Sequence, residues 1–374
     1  MNKVTKAFKS FIQKETLLCI AFALACISSV FVKPDREYIG YIDLRVLGIL
    51  LSLMLVVAGL KQAGLFDSIG ASLLKMMRGA KGLSLVLVLL CFFTSMLITN
   101  DVALITFVPF AIYTLKKANK EELVMKVVVL QTLAANLGSM LTPVGNPQNL
   151  YIYQTSGMKI GQFFSVMAPY TLASLILLVI ALFVMVKDTS DLVVDVEVIR
   201  LNFLELIVYG VLFVLCLMVV LRLIPYWIAL GLVVIYLLIF DRRLLAEADY
   251  SLLFTFVFFF IFTGNLGRIS AISEFLGLLV SGHEIEVGIV SSQIISNVPA
   301  TLLLAPFTDN FKSLLIGVNL GGMGTLIASM ASLISYKKFV VYSPDNKGKY
   351  FRLFTVMNLI FLVLIYLISL ILRV

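Results

Sequence analysis

Two short polar segments in this 374-residue chain carry side chains that can bind an ion. Residues 98–110 and residues 295–307 align without a gap, which indicates an internal duplication. Each segment places an asparagine beside a hydroxyl residue, and these side chains are Thr99, Asn100 and Asp101 in the first and Ser296 and Asn297 in the second. Both segments lie between strongly apolar stretches, and polar groups at membrane depth usually mark an ion or substrate path. We therefore predict a transport site here.

The composition indicates a polytopic membrane protein. Apolar residues make up 61% of the chain, charged residues 13%, and the mean hydropathy is +1.07, outside the range of a soluble domain. We predict nine membrane segments, two of them interrupted: 17–32, 43–64, 127–155, 162–186, 204–221, 224–240, 249–266, 314–335 and 351–372.

The charge distribution predicts the orientation. The net charge is +8, but the basic residues are scattered over loops, which favours cytoplasmic loops over a nucleic-acid surface. With the N-terminus cytoplasmic, every basic cluster lies inside and the C-terminus lies outside. The acidic stretch 187–200 fits this scheme poorly and is interpreted as a linker. The predicted location is the cell membrane.

The two polar segments lie within helical hairpins in the prediction. The arms are 83–98 with 102–115 and 284–295 with 298–308, and they reach only about 18–24 Å, too short for a full crossing. We interpret both as re-entrant hairpins whose tips approach each other near the middle of the membrane.

The duplication predicts an all-α fold with an inverted repeat. Asp43–Leu60 aligns with Asp249–Leu266, and Asn136–Met140 aligns with Asn319–Met323. The first aligned pair runs in opposite directions across the membrane, as in secondary transporters. The predicted units are an N-terminal repeat, 1–186, with hairpin 83–115 and broken helix 127–155; a linker and connecting helix, 187–223; and a C-terminal repeat, 224–374, with hairpin 284–308 and broken helix 314–335.

A second polar break follows each hairpin. In 142–149 two prolines remove helix N–H groups, and the candidate binding residues are Thr142, Gly145, Asn146 and Asn149. In 321–332 the candidates are Gly324, Thr325 and Ser329, although this stretch is equally consistent with a small-residue packing face. Helix ends at a break offer carbonyl groups to a cation and N–H groups to an anion.

The chain resembles the ion transporter superfamily, in particular its citrate-transporter-like, sodium-coupled anion symporter and arsenite-efflux branches. The residues that carry the resemblance are Thr-Asn-Asp-Val-Ala-Leu at 99–104, Thr-Pro-Val-Gly-Asn-Pro-Gln-Asn-Leu at 142–150 and Ser-Asn-Val-Pro-Ala at 296–300. The resemblance implies hairpin tips and broken helices that hold sodium and substrate, and a homodimer with elevator-type motion. Dicarboxylate symporters of this superfamily have Ser-Asn-Thr at both tips, whereas this chain has Asp101 and Val298 at the third position.

Two interpretations of Asp101 remain open at this point. It is either a helix cap or a coupling site, because a carboxylate at this depth repels an anion unless a cation or a proton neutralises it. We predict sodium at Asn100, Asp101 and Asn297, and no other cofactor. The expected partners are a small anionic substrate and membrane lipid.

The function predicted from the sequence is secondary active transport of a small anion, either a carboxylate or an inorganic oxyanion, coupled to sodium or protons. Arsenite efflux and sodium/proton antiport are the alternatives within transport. An intramembrane enzyme is disfavoured because the chain has one convincing buried acid, and its one histidine is predicted to lie outside the membrane.

Overall fold

The computed structural model describes residues 11–12, 15–75, 79–187 and 201–372, and the elements within these ranges are helical. In chain order the α-helices are α1 (Thr16–Phe31), α2 (Glu37–Tyr41), α3 (Leu44–Gln62), α4 (Leu65–Lys75), α5 (Gly79–Ile98), α6 (Asn100–Lys117), α7 (Glu121–Ser139), α8 (Pro147–Ser156), α9 (Ile160–Met185), α10 (Phe203–Val220), α11 (Tyr226–Phe240), α12 (Tyr250–Gly267), α13 (Ser270–Val280), α14 (Glu284–Ile295), α15 (Asn297–Leu304), α16 (Phe311–Leu320), α17 (Met330–Tyr342) and α18 (Lys347–Leu372). Short 3₁₀ segments cover Arg242–Glu247, Ala305–Phe307 and Pro344–Asn346.

The helices confirm a polytopic membrane protein. Among the described residues, six helices are long and apolar enough to cross a membrane, or seven if the bent pair α13 and α14 forms one span. The helices lie where the apolar segments predict them. The two predicted interruptions are also present, between α7 and α8 and between α16 and α17. Part of the predicted linker, residues 188–200, lies outside the described residues.

The first hairpin differs from its prediction in the length of its arms. Helix α5 has 20 residues and α6 has 18, so the first arm reaches about 30 Å and is long enough to cross. The arms of the second hairpin, α14 and α15, have 12 and 8 residues and are short, as predicted. The argument from arm length therefore applies to the second hairpin alone.

Aspartate caps begin two of the long helices in the same way. Oδ1 of Asp43 accepts the N–H of Val46 at 2.9 Å at the start of α3, and Oδ1 of Asp249 accepts the N–H of Leu252 at 2.9 Å at the start of α12. Such caps satisfy N–H groups that have no partner within the helix. The two helices aligned in the sequence thus share the same local start.

The described helices pack in two groups, which contact each other where α12 packs on α15 and α3 packs on α8. In the first group α5, α6 and α7 pack together, α17 packs on α6 and α7, and α8 packs on α15 and α16. In the second group α3 packs against α10 and α11, while α1 packs against α12. Helix α7 is buried along most of its length, and its Gln131 side chain donates to the carbonyls of Leu87 and Phe107, one on each arm of the first hairpin. The hairpins and broken helices thereby form one packed unit.

Candidate functional site

Both hairpin tips turn at a residue with the same unusual backbone conformation. Thr99 has φ +73° and ψ 149°, and Ser296 has φ +73° and ψ 153°. This region is almost restricted to glycine, and occupying it costs about 1–3 kcal/mol per residue. The surrounding contacts therefore hold both tips in a strained turn at the point where one helix ends and the next begins.

Each tip is joined to the following helix break through the backbone. The N–H of Asn100 donates to the carbonyl of Gly145 at 3.0 Å, and the N–H of Asn297 donates to the carbonyl of Ala328 at 3.0 Å. In both asparagines the side-chain Oδ1 accepts the N–H of the next residue at 2.9 Å. The tips and breaks that the sequence analysis predicted as binding elements therefore lie side by side in each half.

Two predicted glycines occupy places where a side chain cannot fit. A Cβ on Gly145 would lie 2.0 Å from the carbonyl oxygen of Ser139. Gly324 has φ +112°, and a Cβ there would lie 2.2 Å from Oε1 of Gln293. The first break therefore needs glycine for close backbone approach, and the second needs it for the positive φ of Gly324.

The two predicted threonines fix the breaks to the first arms of the hairpins. The hydroxyl of Thr142 donates to the carbonyl of Met96, and that of Thr325 donates to the carbonyl of Gln293 at 3.2 Å. Thr325 is nevertheless exposed on one side. The Gln293 amide also donates to the carbonyls of Gly321 and Met323, each at 2.9 Å. Gln293 therefore shapes the second break, a role that its sequence position did not indicate.

Hydrogen bonds cross between the two broken helices in a reciprocal pattern. The amide of Asn146, at the start of α8, donates to Oδ1 of Asn319 at 3.3 Å. The hydroxyl of Ser329, at the start of α17, donates to Oδ1 of Asn136 at 3.1 Å. Each half therefore bonds the beginning of its second helical segment to the other half.

The amide groups of the same asparagines complete this pattern. The Asn319 amide donates to Oδ1 of Asn149 at 2.6 Å, and the Asn136 amide donates to the hydroxyl of Ser332 at 3.4 Å. The Asn149 amide in turn donates to three carbonyls of the first break, those of Ser139, Met140 and Thr142. These carbonyls lie close enough together to surround one small donor.

Asn136 and Asn319 are missing from the residues predicted as a site, yet they lie at its centre. Asn136 accepts the amide of Asn100 at 3.0 Å and donates to the carbonyl of Gly322 at 3.5 Å. The amide nitrogen of Asn297 lies 2.9 Å from the place where Gly322 would carry a Cβ. The two tips thus meet around Asn136 and Gly322. The repeated Asn-Leu-Gly pattern was the signal that could have identified these asparagines.

Asp101 faces a partly enclosed cavity of about 190 Å³. Its Oδ1 atom is buried and has no hydrogen-bond partner among the described residues. The carboxylate of Asp249 lines the same cavity and lies close enough to repel that of Asp101. A buried acceptor without a donor, beside a second carboxylate, is suited to a cation or a proton.

The predicted site residues therefore fall into two connected sets. One set lines the cavity and consists of Thr99, Asp101 and Asn146. The other surrounds the crossed hydrogen bonds and breaks, and consists of Asn100, Thr142, Gly145, Asn149, Ser296, Asn297, Gly324, Thr325 and Ser329. The described residues contain no group of three or more His, Cys, Asp or Glu side chains that could hold a metal ion. The oxygens that these elements offer a cation are hydroxyl, amide and carbonyl oxygens, with the carboxylate of Asp101.

The broken helices and the apolar spans describe a polytopic membrane protein with polar groups concentrated between its helices. Comparison with known proteins identifies the class as membrane transporters. The chain belongs to the citrate transporter family, whose family model matches residues 14–313. The predicted superfamily resemblance is thereby confirmed, and the family and several of the relatives are named as transporters.

Three relatives show the range of this similarity. An uncharacterized transporter of Methanocaldococcus jannaschii is 30% identical over 322 residues, which are 86% of this chain and 88% of the relative. The inner membrane protein YbiR of Escherichia coli is 30% identical over 326 residues, covering 81% and 82%. The silicon efflux transporter LSI3 of Oryza sativa is 33% identical over 145 residues, covering 38% and 29%.

Proposed function

We propose that this protein is a secondary active transporter that moves a small anion, a carboxylate or an inorganic oxyanion, coupled to sodium or protons. Membership of the citrate transporter family supports transport of a carboxylate. The observation that carries the proposal is the grouping of four helix N-termini, those of α6, α8, α15 and α17, around the crossed hydrogen bonds. Helix N-termini carry partial positive charge, which favours an anion.

The proposed architecture is an inverted repeat with two re-entrant hairpins. It is supported by the matched contacts of the two halves: both tips turn at φ +73°, both donate a backbone N–H to the following break, and both breaks bond to the opposite half. A common ancestral unit present twice in opposite orientation accounts for all three matches.

The proposed motion is of the elevator type. The unit formed by α5–α8 and α14–α17 would move with the substrate, against a scaffold formed by α1, α3 and α10–α12. The contacts within each of these two groups support this division, and the contacts of α12 with α15 and of α3 with α8 would be the surfaces that slide past each other. We further propose a homodimer in which the scaffolds of the two protomers contact each other. The proposed location is the cell membrane, with the N-terminus cytoplasmic and the C-terminus outside.

A second candidate function is proton-coupled or sodium-coupled efflux, including export of arsenite, or sodium/proton antiport. The observation that favours it is Asp101, because a buried carboxylate oxygen without a donor is better suited to a cation than to an anion. The similarity to a silicon efflux transporter supports the efflux direction.

Uptake into proteoliposomes tests both candidates. Citrate, succinate, sulfate and arsenite are offered as probes with an imposed sodium gradient, an imposed proton gradient, or neither. Gradient-dependent accumulation of citrate, succinate or sulfate supports anion symport. Export of arsenite from preloaded vesicles that requires an inward sodium or proton gradient supports efflux. Exchange of sodium for protons in the absence of any probe supports antiport.

A further inference from the structure

The two halves of the protein carry cavities in matching positions with very different charge. The first is the cavity that Asp101 lines, and its other ionisable side chains are Lys61, Glu247 and Asp249. The second, of about 380 Å³, is lined by Tyr41, Asp43, Gly267 and Pro306 among others, and Asp43 is the only charged side chain among the described residues that line it.

The alignment of α3 with α12 explains this difference residue by residue. When the alignment is continued past Leu60 and Leu266, Lys61 pairs with Gly267. When it is continued backwards from the caps Asp43 and Asp249, Tyr41 pairs with Glu247. The alignment of the hairpins pairs Asp101 with Val298. Lys61 and Glu247 thus line the first cavity, whereas the residues aligned with them, Gly267 and Tyr41, line the second and are uncharged. Val298, which is aligned with Asp101, is apolar and is not among the residues that line the second cavity.

Among the described residues that line the first cavity, Lys61 is the only basic one. It lies in the last turn of α3 and is half-buried. Its ammonium group forms no hydrogen bond or ion pair with any described residue, although three carboxylates line the same space. A lysine without an ion pair among acids keeps its charge available for a ligand.

The charge balance of this cavity makes Lys61 important to an anion. Three carboxylates and one ammonium group give the space a negative field, and a partly enclosed, low-dielectric cavity strengthens that field. An anion that approaches the start of α8 through this cavity therefore meets repulsion from every ionised side chain except Lys61. The opposite cavity imposes no such requirement, because the one charged side chain among its described lining residues is an aspartate that caps a helix.

We propose that Lys61 is the substrate-binding residue of one face only: its ammonium group receives the anion where the first cavity opens, at the C-terminal end of α3. This face is the cytoplasmic one in the predicted orientation. The proposal rests on anion transport as the proposed function and adds a specificity residue to it. The acids beside Lys61 then make anion binding on this face dependent on the coupling cation, which offsets their charge.

The test is to measure KM separately on the two faces, in right-side-out and inverted membrane vesicles. Radiolabelled citrate is the first probe; if the parent does not transport it, succinate and then sulfate replace it. We expect Lys61→Met to raise KM about tenfold on the face of the first cavity, with KM on the other face unchanged. Raising the ionic strength should raise the parent's KM on that face and change the variant's little.

Two further variants separate charge from packing. Lys61→Arg retains the charge and should keep KM within about twofold of the parent. Lys75→Met removes an exposed lysine of α4 that does not line the cavity and serves as the matched control. If Lys61→Met leaves KM unchanged, or raises it equally on both faces, the proposal is wrong and Lys61 only orients the end of α3. If the Lys61→Met protein does not insert into the membrane, the Lys61→Arg variant decides instead: an equal rise in its KM on both faces would show that the proposal is wrong. A parent that transports none of the probes contradicts the proposed function instead.

Discussion

The side-chain amide of Asn319 donates to Oδ1 of Asn149 at 2.6 Å, and this bond joins the two broken helices. Both residues are buried, and Asn149 is fully shielded from solvent. Buried amides that lose a partner retain the full desolvation penalty, so the pair stabilises the crossing more than an exposed pair could. The crossing of the broken helices is therefore held by side chains from both halves.

The first prediction is that Asn149 and Asn319 are energetically coupled. Asn149→Ala and Asn319→Ala should each lower the free energy of unfolding by about 1–3 kcal/mol, and the double variant should be less destabilised than the sum, by about 0.5–3 kcal/mol. Reversible unfolding in mixed detergent micelles measures this coupling. The control is Asn202→Ala, which removes the cap of α10 and should combine additively with either variant. If the effects of Asn149→Ala and Asn319→Ala are also additive, the hydrogen bond between the two side chains is weak.

The second prediction concerns the asparagines at the hairpin tips. Asn100→Ala and Asn297→Ala should each reduce transport at least tenfold while leaving the protein folded in the membrane, because both amides lie around Asn136 and Gly322, where the tips meet. A weaker dependence on the driving ion should accompany the loss. Uptake and ion dependence equal to those of the parent would assign both residues to helix capping alone.

The third prediction is that Asp101 carries the coupling. Asp101→Asn keeps the size and capping ability of the side chain but removes its charge, so proton and sodium can no longer compete for the same oxygen. The parent's uptake should vary with pH and shift with sodium concentration, whereas the variant's uptake should be flat in pH and independent of sodium. Asp67→Asn, on α4, is the matched control. A variant with the parent's pH profile would require the coupling site to lie among the carbonyls around Asn149 and Thr325.

The fourth prediction follows from the positive φ of the residues that form the two turns. At Thr99 and Ser296 a substitution to alanine keeps the strain and loses the hydroxyl group, whereas glycine relieves the strain. At both positions the glycine variant should therefore have a free energy of unfolding about 1 kcal/mol higher than that of the alanine variant. This is the reverse of the usual order within helices. Thermal unfolding in detergent measures the difference, with Ser165, an exposed residue inside α9, as the position where the usual order should hold.

The sequence predicted the helices well and their contacts poorly, for physical reasons. Membrane segments follow from runs of apolar residues, so spans such as α9 and α18 lie within a few residues of their predictions. The first hairpin arm was predicted too short because Lys81 interrupts its apolar run. In the structure the Lys81 ammonium lies 5.9 Å from the centre of the Phe183 ring, a contact with a distant helix that supports the extra turn.

The centre of the site shows the same limit. Polar residues inside apolar segments identified the tips and the breaks, because such residues are rare at membrane depth. Which of them meet depends on how the two halves cross, and no local pattern specifies that crossing. Asn136 and Gln293 were therefore missed as parts of the site, although the repeated Asn-Leu-Gly pattern already marked Asn136 and Asn319 as equivalent.

The bonds between tips and breaks run from backbone to backbone, from the N–H of Asn100 to Gly145 and from that of Asn297 to Ala328. Point substitutions that keep the backbone path leave such bonds in place, since neither partner is a side chain. The side chains at the tips can therefore diverge in evolution without loss of the framework that presents them. Natural selection can thus alter what such a protein carries, one residue at a time, while its folding is preserved.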